Sequence, residues 1–318
     1  MSRWVANRWV ASRSRTFVVS LALGAASLGW ARDAGAFCRS RSCDEDATWP
    51  FLAQTPCIED DDGCFIYGPK LHWPTNCLSF SMQLDGSAKS AIDLETARAV
   101  VEAAFETWRG ADCGGGVTPS FSIVSTGDVE CRLPEYNQHQ PNANIVMFRD
   151  DAWPHDTVLN PIGLTTVTYE VATGKIVDAD IELNTFQFHF TLVDDPSAQA
   201  DLAGVVTHEI GHFLGLSHAR VASATMFETA LPNQLDMRTL EPDDVAGVCD
   251  IYPPGEALSA SCPVRHGFSE SCGDPEKEDE QEETGCALGG RGNATDLAAA
   301  FGLLAIAAVL RRRRAPAR

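Results

Sequence analysis

The sequence predicts an α+β domain in which a mixed β-sheet carries its helices on one side. Three observations lead there. From Cys77 onward the pattern runs strand, helix, several strands, helix. Each strand candidate is bounded by Gly, Pro, Asn or Asp. The 318 residues suffice for one substantial core with appendages.

The first 36 residues stand outside that core. Arg3, Arg8, Arg13 and Arg15 form a positive n-region, "TFVVSLALGAASLGW" an apolar h-region, and "AGA" ending at Ala36 a small-residue cleavage site, which together predict a secretory signal. An N-terminal membrane helix is the alternative, although the apolar run is short for one. Residues 37–76 are rich in Cys, Asp and Pro and lack helical periodicity, so a disulfide-stapled, loop-rich segment is expected.

The regular elements follow. "CLSFSMQL" alternates as a strand, and "AIDLETARAVVEAAFETWR" places Val100, Val101, Ala104, Phe105 and Trp108 at helical spacing until "CGGGVTP" breaks it. "SFSIV", "NIVMFR", "GLTTVTYE" and "KIVDADIEL" suit strands. "GVVTHEIGHFLG" suits a helix, and "EPDDVAGVCDIYP" a short one that begins near Pro242 with acids in its first turn. Residues 254–285 hold a small Cys262/Cys272 loop and the run "DPEKEDEQEE", a solvated spacer too poor in apolar residues to pack. In the tail, 286–318, Leu297 to Leu310 is an unbroken apolar run of fourteen closed by four arginines, marginal as a membrane span; a buried terminal helix is the alternative.

Charge and cysteines limit the function classes. The net charge of −20 is masked by basic ends. Without the five Arg and one Asp of residues 1–36 and the six Arg and one Asp of 287–318, 13 basic and 42 acidic residues remain, a net of −29. A surface this acidic argues against nucleic acid, whose affinity comes from neutralised phosphates. Ten of the eleven cysteines (38, 43, 57, 64, 77, 113, 131, 249, 262, 272) precede the acidic run, an even number that fits disulfides in an exported protein and leaves their connectivity open. Cys286 stands apart.

The chemistry lies in "VVTHEIGHFLGLSHARVASATMF", residues 205–227. On a helix His208 and His212 share one face, one turn apart, so that two imidazoles reach one zinc ion at about 2.0–2.1 Å. Glu209 lies beside the metal and is placed to deprotonate a water there. Gly215 lets the chain turn back through a left-handed conformation and brings His218 round as a third ligand. Three ligands leave a fourth position for water, the arrangement of a catalytic zinc. H-E-x-x-H-x-x-G-x-x-H fixes five positions and would arise by chance in a chain this long roughly once in ten thousand sequences.

These residues resemble the metzincin metalloproteases, the matrixin branch in particular. Met226 in "SATMF" stands where that family has its Met-turn, and "LEPDDVAGVCDIYP" looks like its C-terminal helix, with Asp243 and Asp244 matching an acidic pair that braces that turn. The resemblance covers residues 77–253. It implies a twisted five-stranded mixed sheet, three helices and a zinc cleft between unequal lobes, with protein or peptide as substrate. Two departures matter. Phe227 and Glu228 replace the usual Tyr and Pro after the methionine, so cleavage specificity does not transfer. "GLTTVTYE" and "GKIVDADIELN" lack the histidines of the family's second, structural zinc, so one zinc is expected. Asp178, Asp180 and Glu182 alternate on one strand face, read first as solvated and second as a calcium site. His72, His139, His155, His189 and His266 lack ligand spacing. A zinc-capping thiolate among cysteines 38–77 is an alternative to full pairing.

The tail, with Cys286, an apolar helix and terminal arginines, resembles the sorting tails of myxobacterial surface proteins. That resemblance implies processing near Cys286 and lipid or membrane anchoring at the cell surface. The expected function is therefore an exported, surface-anchored zinc endopeptidase with Glu209 as base. A non-catalytic zinc-binding adhesion module is the rival, and the intact ligand set and Glu209 argue against it.

Overall fold

The computed structural model describes residues 4–6, 37–43, 57–61, 63–134, 136, 143–155, 161–193, 199–228 and 235–259. Cys262, Cys272, the acidic run and the tail with Cys286 lie outside the described residues, as does most of the segment read as a signal.

Five strands make the mixed sheet: β2 (Cys77–Gln83), β3 (Ser122–Val129), β4 (Ile145–Phe148), β5 (Gly163–Glu170) and β6 (Ile176–Leu183). Their order is β3-β2-β4-β6-β5. The first four run parallel and β5 is antiparallel to β6. Parallel neighbours need a crossover, and α1 (Leu94–Arg109) supplies it between β2 and β3. A three-residue strand, β1 (Trp4–Ala6), pairs antiparallel with Thr168–Glu170 on the outer edge of β5. It comes from the segment read as a signal and adds a sixth strand to the expected five. A short parallel pair, β7 (Phe190–Thr191) with β8 (Ala200–Asp201), sits before the second helix and is too brief to show a period in the sequence.

Helix α1 begins three residues after the apolar pattern does. Asp93 caps it by accepting the Thr96 N–H at 2.7 Å, and Ala91 holds a positive φ of 54° that no helix admits. Its inward face, Ala97, Val101, Ala104, Phe105 and Trp108, is buried. Helix α2 (Leu202–Leu214) is buried nearly all round, and Asp201 caps it by accepting the Gly204 N–H at 2.7 Å while pairing with Arg238. The two helices meet through Phe105 and Phe213, whose rings are 5.4 Å apart, and through Trp108, which donates its indole N–H to the Thr207 carbonyl at 2.8 Å. Helix α3 (Pro242–Ile251) starts at Pro242 as expected, on a capping box between Glu241 and Asp244.

Disulfides Cys38–Cys64 and Cys43–Cys57 staple the N-terminal segment, and Cys113–Cys249 ties the loop after α1 to α3. Cys77 and Cys131 are disulfide-bonded as well. Every cysteine described between 38 and 77 is thus oxidised, which leaves none there as a thiolate cap. Among the described residues no helix is long and apolar enough to cross a membrane.

One expectation fails. Asp178, Asp180 and Glu182 do not face solvent; they are 1, 1 and 0 % exposed. Along β6 side chains of both faces are buried, with Val177 alone partly exposed, so neither face is free. Asp180 Oδ1 accepts the Ile145 N–H at 2.8 Å. Glu182 pairs with Arg149 and lies 2.7 Å from His155 Nε2. His155, which has no ligand spacing in the sequence, is a buried hydrogen-bond partner of Glu182. Alternation of acids along a strand cannot tell a wet face from one whose cations arrive from distant segments.

Candidate metal centre

His208, Glu209 and His212 project from the C-terminal half of α2, all buried. His208 Nδ1 lies 2.7 Å from the Thr225 carbonyl and His212 Nδ1 lies 3.0 Å from the Leu216 carbonyl. A carbonyl oxygen only accepts, so each Nδ1 carries the proton and each Nε2 keeps its lone pair.

Gly215 ends α2 at φ 109°, and its N–H returns to the His212 carbonyl at 3.0 Å. The left-handed φ favours glycine, and a Cβ there would also stand a tight 3.0 Å from the Leu71 carbonyl oxygen. The reversal carries His218 to the other two. One ligand atom from each of the three histidines lies within 4.8 Å of the others, and His212 Nε2 is 3.2 Å from His218 Nε2. Among the described residues no other group of three or more His, Cys, Asp or Glu has this spacing. Burial pushes His208 down to about 4, and burial with its neighbour His208 pushes His212 down to about 3. His218 falls well below its ordinary value, chiefly through burial. The donor set is therefore three neutral imidazoles with converging lone pairs, which suits zinc.

Glu209 points to β5. Thr165 Oγ1 donates to its Oε2 at 2.6 Å, and a Cβ on Gly163 would lie 2.5 Å from its Oε1. Gly163 and Thr165 together form a socket for the carboxylate. Burial pushes Glu209 up to about 7, against the Thr165 hydrogen bonds. Neither socket residue stands out in the sequence, since Gly163 is the first residue of β5, where a glycine reads as strand punctuation.

The turn at Met226 lies beneath. The Ala219 N–H donates to the Met226 carbonyl at 2.7 Å, closing the loop that carries His218. A Cβ on Gly211 would lie 2.1 Å from Met226 Sδ and 2.9 Å from Trp108, so glycine in "HEIGH" lets the methionine reach α2. From α3, Asp244 accepts the N–H groups of Thr225 at 2.7 Å, Met226 at 3.0 Å and Glu241 at 2.9 Å. Burial raises its carboxyl, against those donors. Asp243 precedes it, half-buried, in the same turn. Phe227 is half-buried and Glu228 exposed at the end of the described turn.

Comparison with known proteins matches this region. The family model described as matrixin, peptidase M10, fits residues 72–253. Metalloendoproteinase 4-MMP of Arabidopsis thaliana is 34 % identical over 102 residues, 32 % of this chain and 28 % of that protein. Metalloendoproteinase 1-MMP of the same plant is 47 % identical over 58 residues, 18 % of this chain and 16 % of its own length. Human matrix metalloproteinase-20 is 24 % identical over 194 residues, 61 % of this chain and 35 % of that protein. The chain thus spans well under half the length of these relatives.

Proposed function

The chain belongs to the matrixin family of metallopeptidases, whose members imply zinc, and from that premise we propose that it is a zinc-dependent endopeptidase with His208, His212 and His218 as ligands and Glu209 as general base. The observation that carries this reading is the convergence of three neutral imidazoles, His208 and His212 buried on α2 and His218 half-buried beyond its end, next to a carboxylate held by β5. When bound, the ion supplies Lewis acidity that polarises the scissile carbonyl and acidifies water.

The chain's own groups do the rest. Nδ1 donation from His208 and His212 to backbone carbonyls fixes the tautomer in which both Nε2 atoms are ligands. Glu209 takes a proton from the attacking water and returns it to the leaving amine. Its socket of Gly163 and Thr165 holds the carboxylate in one orientation between those steps. An extended peptide pairs with the outer edge of β5 through main-chain hydrogen bonds. Support for that mode is the antiparallel partner this edge already takes, Trp4–Ala6 along Thr168–Glu170. Export fits the disulfides of the N-terminal segment. Surface anchoring rests on the tail's sequence.

The test is cleavage of casein or a peptide library by the wild-type chain beside Glu209→Ala. Equal activity in both, or none in either at saturating zinc, overturns the proposal. Thr165→Val probes the socket. It keeps the side-chain shape and removes the hydroxyl, and a lost hydrogen bond to a charged group predicts a fall in kcat of roughly 10-fold or more with zinc content unchanged. A kcat within twofold of wild type would remove Thr165 from the account.

A further inference from the structure

The Leu216 carbonyl, just past the Gly215 turn, has two hydrogen-bond partners. His212 Nδ1 lies 3.0 Å away and Ser40 Oγ donates from 2.7 Å. Ser40 is 176 residues from Leu216 in sequence and 3 % exposed. Residues 37–43 bring it there as a strap across the metal turn. Arg39 pairs antiparallel with Leu216, the Ser40 N–H donates to the Gly215 carbonyl at 3.0 Å, and the Ser217 N–H donates to the Cys38 carbonyl at 2.9 Å. The strap is fastened on both sides. Leu71 donates its N–H to the Ser40 carbonyl at 2.8 Å, and the Arg39 guanidinium reaches the Leu71 carbonyl and Asp250 on α3, each at 2.8 Å. Cys38–Cys64 and Cys43–Cys57 close it covalently. Gly247 on α3 makes room for the turn, since a Cβ there would stand 2.7 Å from Leu216 Cδ2.

We propose that Ser40 is a positioning residue of the metal centre: its hydroxyl, delivered by the disulfide-stapled strap, fixes the Leu216 carbonyl that orients the His212 ring for metal binding. The inference rests on the reading of the three histidines as a zinc site. A carbonyl oxygen has two lone pairs, and here each is committed, one to the strap and one to the ligand. The peptide plane therefore cannot rotate away from His212 without breaking a bond to Ser40. The group that orients a metal-ligating histidine typically changes metal affinity by 10–100-fold, and Ser40 acts one bond further out. The N-terminal segment is on this account a working part of the site, and its loss weakens metal binding.

The test compares Ser40→Ala, Ser40→Thr and Ser42→Ala in the full chain, by chelator competition for zinc and by the visible spectrum of the cobalt-loaded protein. Ser42 is the control, because its hydroxyl makes an equivalent bond, 2.6 Å to the Val171 carbonyl, away from the metal turn. Ser40→Ala is expected to raise the zinc Kd by about 3- to 10-fold and to shift the cobalt bands. Ser40→Thr, which keeps the hydroxyl, and Ser42→Ala should both match wild type. A Ser40→Ala protein with wild-type zinc affinity and cobalt spectrum overturns the proposal. Should that variant not fold, amide exchange in the wild type decides. Coupling between strap and ligand is reciprocal, so zinc must slow exchange within residues 37–43 relative to chelator-treated protein. Unchanged exchange overturns it. A wild-type chain that binds no zinc would instead bring down the metal reading itself, so the two failures are distinguishable.

Discussion

Replacing Glu209 by Ala should lower kcat/KM for peptide cleavage by roughly 10²–10⁴-fold while leaving zinc affinity near wild type, because a positioned general acid–base is worth about that much. The reasoning is local. Glu209 shares α2 with His208 and His212, but its carboxylate turns to β5 and the Thr165 hydroxyl, and the two histidines are fixed by Thr225 and Leu216 instead. Truncation therefore removes the proton carrier and leaves the metal's supports in place. Glu209→Gln separates charge from shape, since it fills the Gly163 socket and still cannot take a proton. Both variants should be inactive to a similar degree. A Gln variant within about tenfold of wild type would mean that another group moves the proton.

Asp244→Ala should be the most destabilising single substitution near the site, at about 3–5 kcal/mol by urea denaturation. Its carboxylate is the acceptor for three backbone N–H groups, those of Thr225, Met226 and Glu241. Thr225 and Met226 are buried, so water does not readily replace the lost acceptor. The damage reaches the metal centre through the same turn, since the Thr225 carbonyl orients His208. Asp244→Asn keeps one acceptor oxygen and should lose less. A loss below about 1 kcal/mol for the Ala variant would show that the turn at Met226 holds itself.

Much of the centre was legible because its parts follow local rules. His208, Glu209 and His212 are set by helical period, and Gly215 by the left-handed end that a helix needs before it can reverse. Asp244 lies in the first turn of a helix announced by Pro242. The helices, the five strands and the sheet's mixed character were readable from period, punctuation and element order. What escaped came from long-range contacts. Thr165 meets Glu209 across 44 residues, Ser40 meets Leu216 across 176, and Arg149 and His155 reach Glu182 across 33 and 27. No periodicity encodes such meetings. The acids of β6 were misread for the same reason, because an interior strand and an exposed one carry the same alternation until their neighbours are known.

The central claim is that the three histidines form one zinc site, and elemental analysis of the purified wild-type chain tests it most directly. About one zinc per chain is expected, falling close to zero in His212→Ala folded to the same extent. A wild-type chain without zinc after incubation with the metal, or a His212→Ala chain that keeps it, would contradict the account.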